Sequence, residues 1–182
     1  MVKVVIVNGM PESGKTTFQE ICRRKLNDYN WNTVIKSSVE FVKKVATYCG
    51  WNGEKTDKNR KFLSDLKRVL TDWDDAVIKD IINDVNVYHY SGLNFVIFID
   101  IREPEEIEKA KKVFNAISLI VRRPQVECNT WSNSSDMKVF ECDYDHIIWN
   151  DSDLTQLEAE ADKFIDSLIM NNNIYTPKEN CN

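Results

Sequence analysis

Short, uninterrupted apolar runs alternate along this chain with longer stretches in which apolar residues recur at every third or fourth position. An uninterrupted run is typical of a strand buried on both faces, and the wider spacing is typical of a helix with one buried side. The runs predict five strands, at residues 2–7, 33–36, 95–99, 117–121 and 145–149. Strands that alternate with helices predict an α/β fold, with a parallel five-stranded sheet and helices on both faces.

The periodic stretches predict the helices between these strands. One follows Ser37 and Ser38, whose hydroxyls are candidate caps, and turns Cys49 inward; two others cover residues 103–114 and 154–168. Residues 60–81 predict a long helical region, or two helices that meet near Thr71. We expect its apolar stripe to enter the core: Phe62, Leu63, Leu66, Val69, Leu70, Trp73, Val77 and Ile81.

The first strand runs into Gly9-Met10-Pro11-Glu12-Ser13-Gly14-Lys15-Thr16, which matches the phosphate-binding (Walker A) pattern G-x-x-x-x-G-K-[ST]. In such a loop glycine lets successive backbone N–H groups point at an anion, and the helix that begins at Gly14 or Lys15 adds its positive dipole end. Lys15 supplies a full charge, and the Thr16 hydroxyl can hold Mg²⁺. The predicted nucleotide contacts are Gly9, Pro11, Glu12, Ser13, Gly14, Lys15, Thr16 and Thr17.

Polar residues follow the other predicted strands, and the carboxyl ends of parallel strands meet at one edge of the sheet. We expect Ser37, Asp100, Arg102, Arg122 and Arg123 to lie there beside the phosphate-binding loop. Asp100 is a candidate Mg²⁺ ligand together with Thr16, the alternative being a cap for the next helix. Arg102 is a candidate catalytic and acceptor-binding residue, the alternative being a surface pair with a nearby glutamate.

Arg122 and Arg123 end the fourth strand and lead into residues 124–142, which show no helical or strand period. A mobile cover that carries arginine would neutralise a migrating phosphoryl group and exclude water. We therefore predict a lid-like segment at about 123–142, with Arg123 catalytic and Arg122 in contact with the nucleotide. The alternative is a pair of exposed arginines at a strand end.

A basic cluster formed by Arg60, Lys61, Lys67 and Arg68 is a further candidate site. Arg60 and Lys67 lie seven residues apart and so share one helix face. This face would hold the phosphate of an acceptor, with Arg60 and Lys67 as substrate ligands, or it is a solvated surface.

Bulk properties narrow the class of protein. The 182 residues, 42% of them hydrophobic, suit one domain over 1–182, with a tail at 171–182 that we expect to be frayed. A formal charge of −5 argues against nucleic-acid binding, and the sequence contains neither a signal peptide nor an apolar run of about 18 residues that would span a membrane. The scattered, odd-numbered cysteines fit a reducing cytoplasm: Cys22, Cys49, Cys128, Cys142 and Cys181.

In this order, the motifs resemble the small phosphate-loop kinases of monophosphates, and most of all the bacteriophage deoxynucleoside monophosphate kinases. The resemblance covers nearly the whole chain. It is carried by GMPESGKTT after the first strand, the segment 37–50, the start of a helix at Arg60-Lys61-Phe62-Leu63, FVIFID with Asp100-Ile101-Arg102, ISLIVRRP, and DYDHIIWND up to Asp151.

The resemblance implies a three-layer P-loop NTPase fold like that of nucleoside monophosphate kinases, with ATP and Mg²⁺ as cofactors. It places Asn150 and Asp151 near the donor base, and Arg102 and Arg123 between donor and acceptor. The sequence departs from the family pattern at Ser64 and Asp65, where some relatives have a glutamine and a Gly-Thr pair.

The first hypothesis is therefore an ATP-dependent kinase of a (deoxy)nucleoside monophosphate, located in the cytoplasm (of the host, if the chain is phage-encoded), and monomeric or homodimeric. The second is a kinase of the same build for another phosphorylated acceptor, such as a coenzyme A precursor or phosphomevalonate. The third is a nucleotide-binding module without an acceptor. The partners expected under the first are a nucleotide donor and a small phosphorylated acceptor.

Overall fold

A single parallel sheet organises the protein. The computed structural model describes residues 1–128 and 138–177 of the chain. The strands are β1 (Val2–Asn8), β2 (Asn32–Ser37), β3 (Phe95–Asp100), β4 (Ile117–Arg122) and β5 (His146–Trp149). They pair in the order β2-β3-β1-β4-β5, and every pairing is parallel, which confirms the predicted sheet.

Helices cover both faces of this sheet. In the described part of the chain they are α1 (Lys15–Asp28), α2 (Glu40–Tyr48), α3 (Asp57–Asp74), α4 (Ala76–Tyr90), α5 (Pro104–Phe114), the single turn α6 (Pro124–Glu127) and α7 (Leu154–Met170). None of them combines the length and the apolar character needed to cross a bilayer.

β1 lies at the centre of the sheet and is buried along its whole length. Because successive strand side chains point to opposite faces, β1 contributes to two cores. Val5 and Val7 pack in the core that contains residues of α1 and α7, whereas Val4 and Ile6 pack in the core that contains residues of α4 and α5. The result is the predicted arrangement of a helix layer, a sheet and a second helix layer.

The long helical region divides into α3 and α4, as one of the two alternatives predicted. The boundary lies at Asp75, four residues beyond the expected Thr71, and the backbone of Asp75 is left-handed, with φ of 50°. Thr71 does not begin a helix: its hydroxyl is buried within α3 and has no hydrogen-bond partner. Lys109 of α5 pairs with the Asp75 carboxylate and holds the junction against the body of the protein.

The prediction that the whole apolar stripe enters the core is wrong for part of α3, although Leu63, Leu66 and Leu70 are partly buried and pack against the core. Val77 and Ile81 of α4 are buried, but α3 has no buried residue at all. The side chains of Phe62, Val69 and Trp73 are 37%, 55% and 77% exposed. These side chains are exposed because α3 packs mainly against α2 and α4 and not on the sheet. An apolar period alone does not distinguish these two situations.

Two details of α2 also differ from the expectation. The helix begins at Glu40, and neither Ser37 nor Ser38 supplies a side-chain cap for its first turn. Cys49 lies beyond the last turn and is exposed, whereas Val42 and Ala46 face the core as predicted.

The carboxyl-terminal segment is packed, not frayed, as far as residue 177. Tyr175 is 3% exposed; its backbone N–H donates to the Val2 carbonyl at 2.9 Å and its hydroxyl to the Asn86 carboxamide oxygen at 2.8 Å. Its ring lies 5.7 Å from that of Phe114. The prediction of a frayed tail is therefore wrong for residues 171–177.

Part of the predicted lid-like segment and the end of the tail lie outside the described residues. Of the segment 123–142, the structure describes α6 and a 3₁₀ turn at Lys138–Phe140. Residues 129–137 and 178–182 are not described.

Substitution of Tyr175 tests whether the carboxyl-terminal segment belongs to the folded core. We expect Tyr175→Ala to lower the free energy of unfolding by about 3–4 kcal/mol, because it empties a site filled by a buried ring. Tyr175→Phe should cost about 1 kcal/mol, since it leaves the Asn86 oxygen without its donor. Urea denaturation followed by circular dichroism measures both.

The matched control is Tyr90→Ala, at a tyrosine that is 73% exposed. We expect this change to stay within about 0.5 kcal/mol of the wild type. Equal effects of Tyr175→Ala and Tyr90→Ala would contradict the packed tail.

Candidate functional site

The phosphate-binding loop joins β1 to α1 and needs both glycines of its motif. Gly9 has φ of 145° and Gly14 has φ of 98°, conformations that residues with a side chain rarely adopt. A Cβ atom on Gly9 would lie 2.5 Å from the carbonyl oxygen of Val121, and one on Gly14 would overlap the carboxamide of Asn150. The loop is thus built against β4 and the end of β5, and it has no room for larger residues.

The loop retains polar groups that suit an anion. The Lys15 ammonium donates to the carbonyl oxygens of Gly9 at 2.5 Å and Met10 at 2.8 Å, so the charge lies against the loop. Ser13 is buried, and its hydroxyl has no hydrogen-bond partner among the residues that the structure describes. A buried polar group without a partner is costly, and a phosphate oxygen in the loop would supply one. These groups fit the phosphates of a nucleotide.

Asp100 lies beside the start of this loop because β3 pairs with β1. The register places Asp100 opposite Val7, two residues before Gly9. Its carboxylate accepts a hydrogen bond of 2.7 Å from the Gln19 side chain of α1. Burial raises the pKa of Asp100 above its ordinary value, although the hydrogen bond from Gln19 and the charges of Lys15 and Arg102 act in the opposite direction.

Thr16 and Asp100 together offer the kind of oxygen ligands that Mg²⁺ prefers. Thr16 is exposed on the first turn of α1, and Asp100 ends the adjacent strand. Within residues 1–128 and 138–177, no group of three or more His, Cys, Asp or Glu side chains is arranged to hold a metal ion. A hydroxyl and a carboxylate fit a Mg²⁺ ion whose other ligands are bound phosphates and water.

A cleft of about 730 Å³ opens beside the loop, between the ends of β1, β2 and β3 and the helices α2 and α3. We call it the α2–α3 cleft. Six of the predicted catalytic and ligand-binding residues line it: Lys15, Ser37, Arg60, Lys67, Asp100 and Arg102. The predicted convergence of strand ends thus holds for β1, β2 and β3, whereas Arg122 and Arg123, at the end of β4, do not line this cleft. The basic face of α3 lies at the same place.

The two basic residues of α3 proposed as substrate ligands differ in their surroundings. The Lys67 ammonium lies 2.6 Å from the Glu106 carboxylate and 3.3 Å from the Ser38 hydroxyl, and the side chains of Lys67 and Glu106 are only 14% and 20% exposed. Lys67 therefore already has a compensating charge. Arg60 is exposed and has no ion-pair partner among the described residues.

Arg122 is held by three neighbours at the end of β4. Its guanidinium forms a two-pronged contact with the Glu127 carboxylate, at 3.1 and 2.6 Å, which raises the pKa of Arg122. The same group lies 5.0 Å from the centre of the Phe140 ring and 4.9 Å from that of Trp149. Arg122 thus fastens α6 and the 3₁₀ turn to the end of β5.

The remaining predicted residues surround the loop at its other side. Arg123 donates to the carbonyl oxygen of Glu12 at 3.3 Å, and the Asn150 carboxamide donates to that of Ser13 at 2.9 Å. Asp151 is exposed, and its carbonyl oxygen accepts from the side chain of Gln125. Pro11 and Thr17 lie in the loop and in the first turn of α1, respectively.

Sequence reasoning missed several residues that build the site. Asn8 accepts from the Gly9 N–H at 2.8 Å and donates to the Tyr144 hydroxyl at 2.8 Å and to the Arg102 carbonyl at 3.3 Å, so it ties the loop to β3 and the segment before β5. Gln19 holds Asp100. A signal was present, since Asn8 and Gln19 are polar residues within otherwise apolar patterns and both are buried.

Solved structures of P-loop kinases share this fold. APS kinase CysC from Mycobacterium tuberculosis superimposes with a TM-score of 0.53 at 13% identity, covering 92% of this chain and 96% of that chain. Shikimate kinase from Aquifex aeolicus superimposes with a TM-score of 0.53 at 16% identity, covering 91% of this chain and 96% of that chain. Thymidylate kinase from Ehrlichia chaffeensis superimposes with a TM-score of 0.51 at 14% identity, covering 92% of this chain and 98% of that chain. At these identities the likeness shows the fold alone. The expected P-loop kinase fold is thus confirmed, while the likeness to phage enzymes stays a prediction.

No curated protein matches the chain. One protein family does: "Chromatin associated protein KTI12" matches residues 2–96, from β1 through the phosphate-binding loop to the start of β3. This stretch is just over half of the 182 residues. The chain therefore belongs to the KTI12 family, and it has the fold of the P-loop kinases.

Proposed function

We propose that the protein is an ATP-dependent kinase that transfers the γ-phosphoryl group to a (deoxy)nucleoside monophosphate. The observation that carries the proposal is the meeting of the phosphate-binding loop, Asp100 and the α2–α3 cleft at one edge of the sheet. A kinase needs one site for the phosphates of the donor and a second site for the acceptor. A phosphate-binding loop without an adjoining cleft would provide only the first.

On the donor side, the backbone N–H groups of the loop after Pro11, which itself has none, and the Lys15 ammonium bind the β- and γ-phosphates. Lys15 gives up its carbonyl contacts with Gly9 and Met10 when it does so. Thr16 and Asp100 would hold Mg²⁺, which supplies neutralisation of charge on the phosphate oxygens. Asn150 and Asp151 contact the donor base, beside the group formed by Arg122 and Trp149.

On the acceptor side, Arg102 lies in the α2–α3 cleft and Arg123 lies against the loop, so the two flank the space between donor and acceptor. Their charges offset the negative charge that both substrates bring together. Ser37 and Arg60 contact the acceptor from the cleft walls. In this proposal Lys67 acts through its ion pair with Glu106, which fixes the wall, and does not contact the phosphate.

A second acceptor class uses the same build. A coenzyme A precursor or phosphomevalonate also carries phosphate, and the cations of the α2–α3 cleft suit it equally. These acceptors differ from a nucleoside monophosphate in the group that is attached to the phosphate. A panel of acceptors therefore separates the two substrate classes.

The second candidate function is nucleotide binding without phosphoryl transfer, and one observation favours it. The KTI12 match ends at residue 96, four residues before Asp100, and the description of that family names no kinase. Under this alternative the chain binds ATP, and no acceptor stimulates its turnover.

The test is an assay coupled to ADP release, with Mg²⁺ and ATP and a panel of acceptors. The panel contains the four deoxynucleoside monophosphates, the four ribonucleoside monophosphates, dephospho-coenzyme A and phosphomevalonate. We expect turnover with at least one nucleoside monophosphate. Turnover only with the last two acceptors would replace the proposed substrate class, and ATP binding without any turnover would favour the second candidate.

Removal of the loop lysine should abolish transfer and spare the fold. We expect Lys15→Ala to lower the rate of ADP release at least about 100-fold, because it removes a charge that stabilises the transferring phosphoryl group. The control is Lys25→Ala on the same helix, where Lys25 pairs only with Asp162 at the surface, and this change should leave the rate within about twofold. A Lys15→Ala protein with the wild-type rate would refute the assignment.

Substitution of Asp100 should separate stability from activity. Because burial raises its pKa, the folded protein binds the proton of Asp100 more tightly than the unfolded chain does. Stability is therefore lost as pH rises from about 4 through the raised pKa. Asp100→Asn should raise the melting temperature at pH 7, lose this gain below about pH 4, and abolish transfer.

The control is Asp72→Asn at an exposed position of α3, which should leave the melting temperature unchanged. Scanning calorimetry at pH 4 and pH 7 measures both variants. A lower melting temperature of Asp100→Asn at pH 7 would show that the carboxylate stabilises the fold and would contradict the expected sign.

A further inference from the structure

Two helices that contact each other, α2 and α3, both line the α2–α3 cleft. From α2 and the residue before it, the lining consists of Val39, Val42 and Lys43, which share one helix face because they lie three and four positions apart. From α3, the lining includes Arg60 and Ser64, which share a face for the same reason. Lys43 and Arg60 therefore line one cavity from two different helices.

These two cations differ from the others in the cleft by lacking a partner among residues 1–128 and 138–177. Lys61 lies 2.8 Å from the Asp65 carboxylate, and Lys67 is paired with Glu106. In the part of the chain that the structure describes, the side chains of Lys43 and Arg60 form neither an ion pair nor a hydrogen bond. Two uncompensated positive charges thus line a single concave surface.

The charge of this surface contrasts with that of the whole molecule. The cleft is lined by six basic side chains and four carboxylates, whereas the chain carries a formal charge of −5. A concave site with excess charge of one sign concentrates ligands of the opposite sign. The cleft therefore selects an anion although the protein as a whole repels one.

We infer that Lys43 and Arg60 form a two-sided clamp that binds the phosphate of the acceptor. The identity of the acceptor as a phosphorylated small molecule rests on the proposed function, but the anion site itself does not. A planar guanidinium from α3 fixes the orientation of the phosphate through paired hydrogen bonds, and an ammonium from α2 contributes a point charge. Lys43 is an additional acceptor-binding residue, which the sequence pattern did not single out.

Neighbouring residues provide a matched control. Lys44 follows Lys43 on α2, is also exposed, and does not line the cleft. Lys43→Ala and Lys44→Ala therefore change the net charge equally and shorten the same type of side chain on the same helix. Any difference in phosphate binding between the two variants is therefore due to the position of Lys43 in the cleft.

The first experiment measures binding of inorganic phosphate to the full chain by thermal shift, at constant ionic strength. Mg²⁺ and the non-hydrolysable analogue AMP-PNP are present, so that the phosphate-binding loop is filled. We expect Lys43→Ala and Arg60→Ala each to weaken phosphate binding about 10- to 100-fold, and Lys44→Ala to leave it unchanged. The melting temperatures without phosphate should agree among all four proteins, since the Lys43 and Arg60 side chains have no partner to lose in the described part of the chain.

The second experiment measures the Michaelis constant for the monophosphate that proves active in the panel. We expect Lys43→Ala to raise this constant about tenfold or more and to leave the constant for ATP unchanged. If the wild type does not bind AMP-PNP, and Lys43→Ala still loses phosphate binding, the result would support the clamp and refute the proposed kinase activity. Equal phosphate binding in Lys43→Ala and Lys44→Ala would overturn the clamp, whatever the activity of the enzyme.

Discussion

Parallel pairing of β1 with β3 is the interaction on which the site depends. Backbone hydrogen bonds fix the register that sets Asp100 opposite Val7, and therefore beside the loop that starts at Gly9. The same central strand pairs with β4 on its other edge, and this brings Val121 against the loop. A one-residue slip of either pairing would turn the buried face of a strand outward and carry the polar strand ends away from each other. The chemistry of the site is thus positioned by the most buried part of the molecule.

Burial and charge act against each other at this edge. The interior position of Asp100 favours its neutral form, whereas Lys15, Arg102 and the Gln19 hydrogen bond favour the carboxylate. A buried serine hydroxyl without a partner adds a second local cost in the loop. Sites that bind charged ligands commonly hold such unsatisfied groups, which the ligand then satisfies. The apolar cores on the two faces of the sheet offset these costs.

The sequence predicted the strands and the phosphate-binding loop well because both depend on local signals. Five apolar runs gave all five strands within two residues, and the glycine motif gave the loop. What failed depended on tertiary position. The stripe of α3 has the period of a core helix, but the helix lies off the sheet. Tyr175 sits in an asparagine-rich segment, and only its long-range contacts with Asn86 and Phe114 reveal that it is buried. Likewise, no local pattern showed that Glu127 would occupy the donors of Arg122.

The phosphate-binding loop and the α2–α3 cleft differ in how deeply the elements that form them are buried. The loop rests on the central strand, where nearly every exchange of a side chain disturbs close packing. In contrast, α3 forms one wall of the cleft without a single buried residue. Most replacements on such a helix leave the stability of the domain almost unchanged. Under the proposed function, acceptor preference is consequently the property that can diverge fastest among relatives of this chain, through changes on α3, while the residues proposed to hold the nucleotide stay as they are.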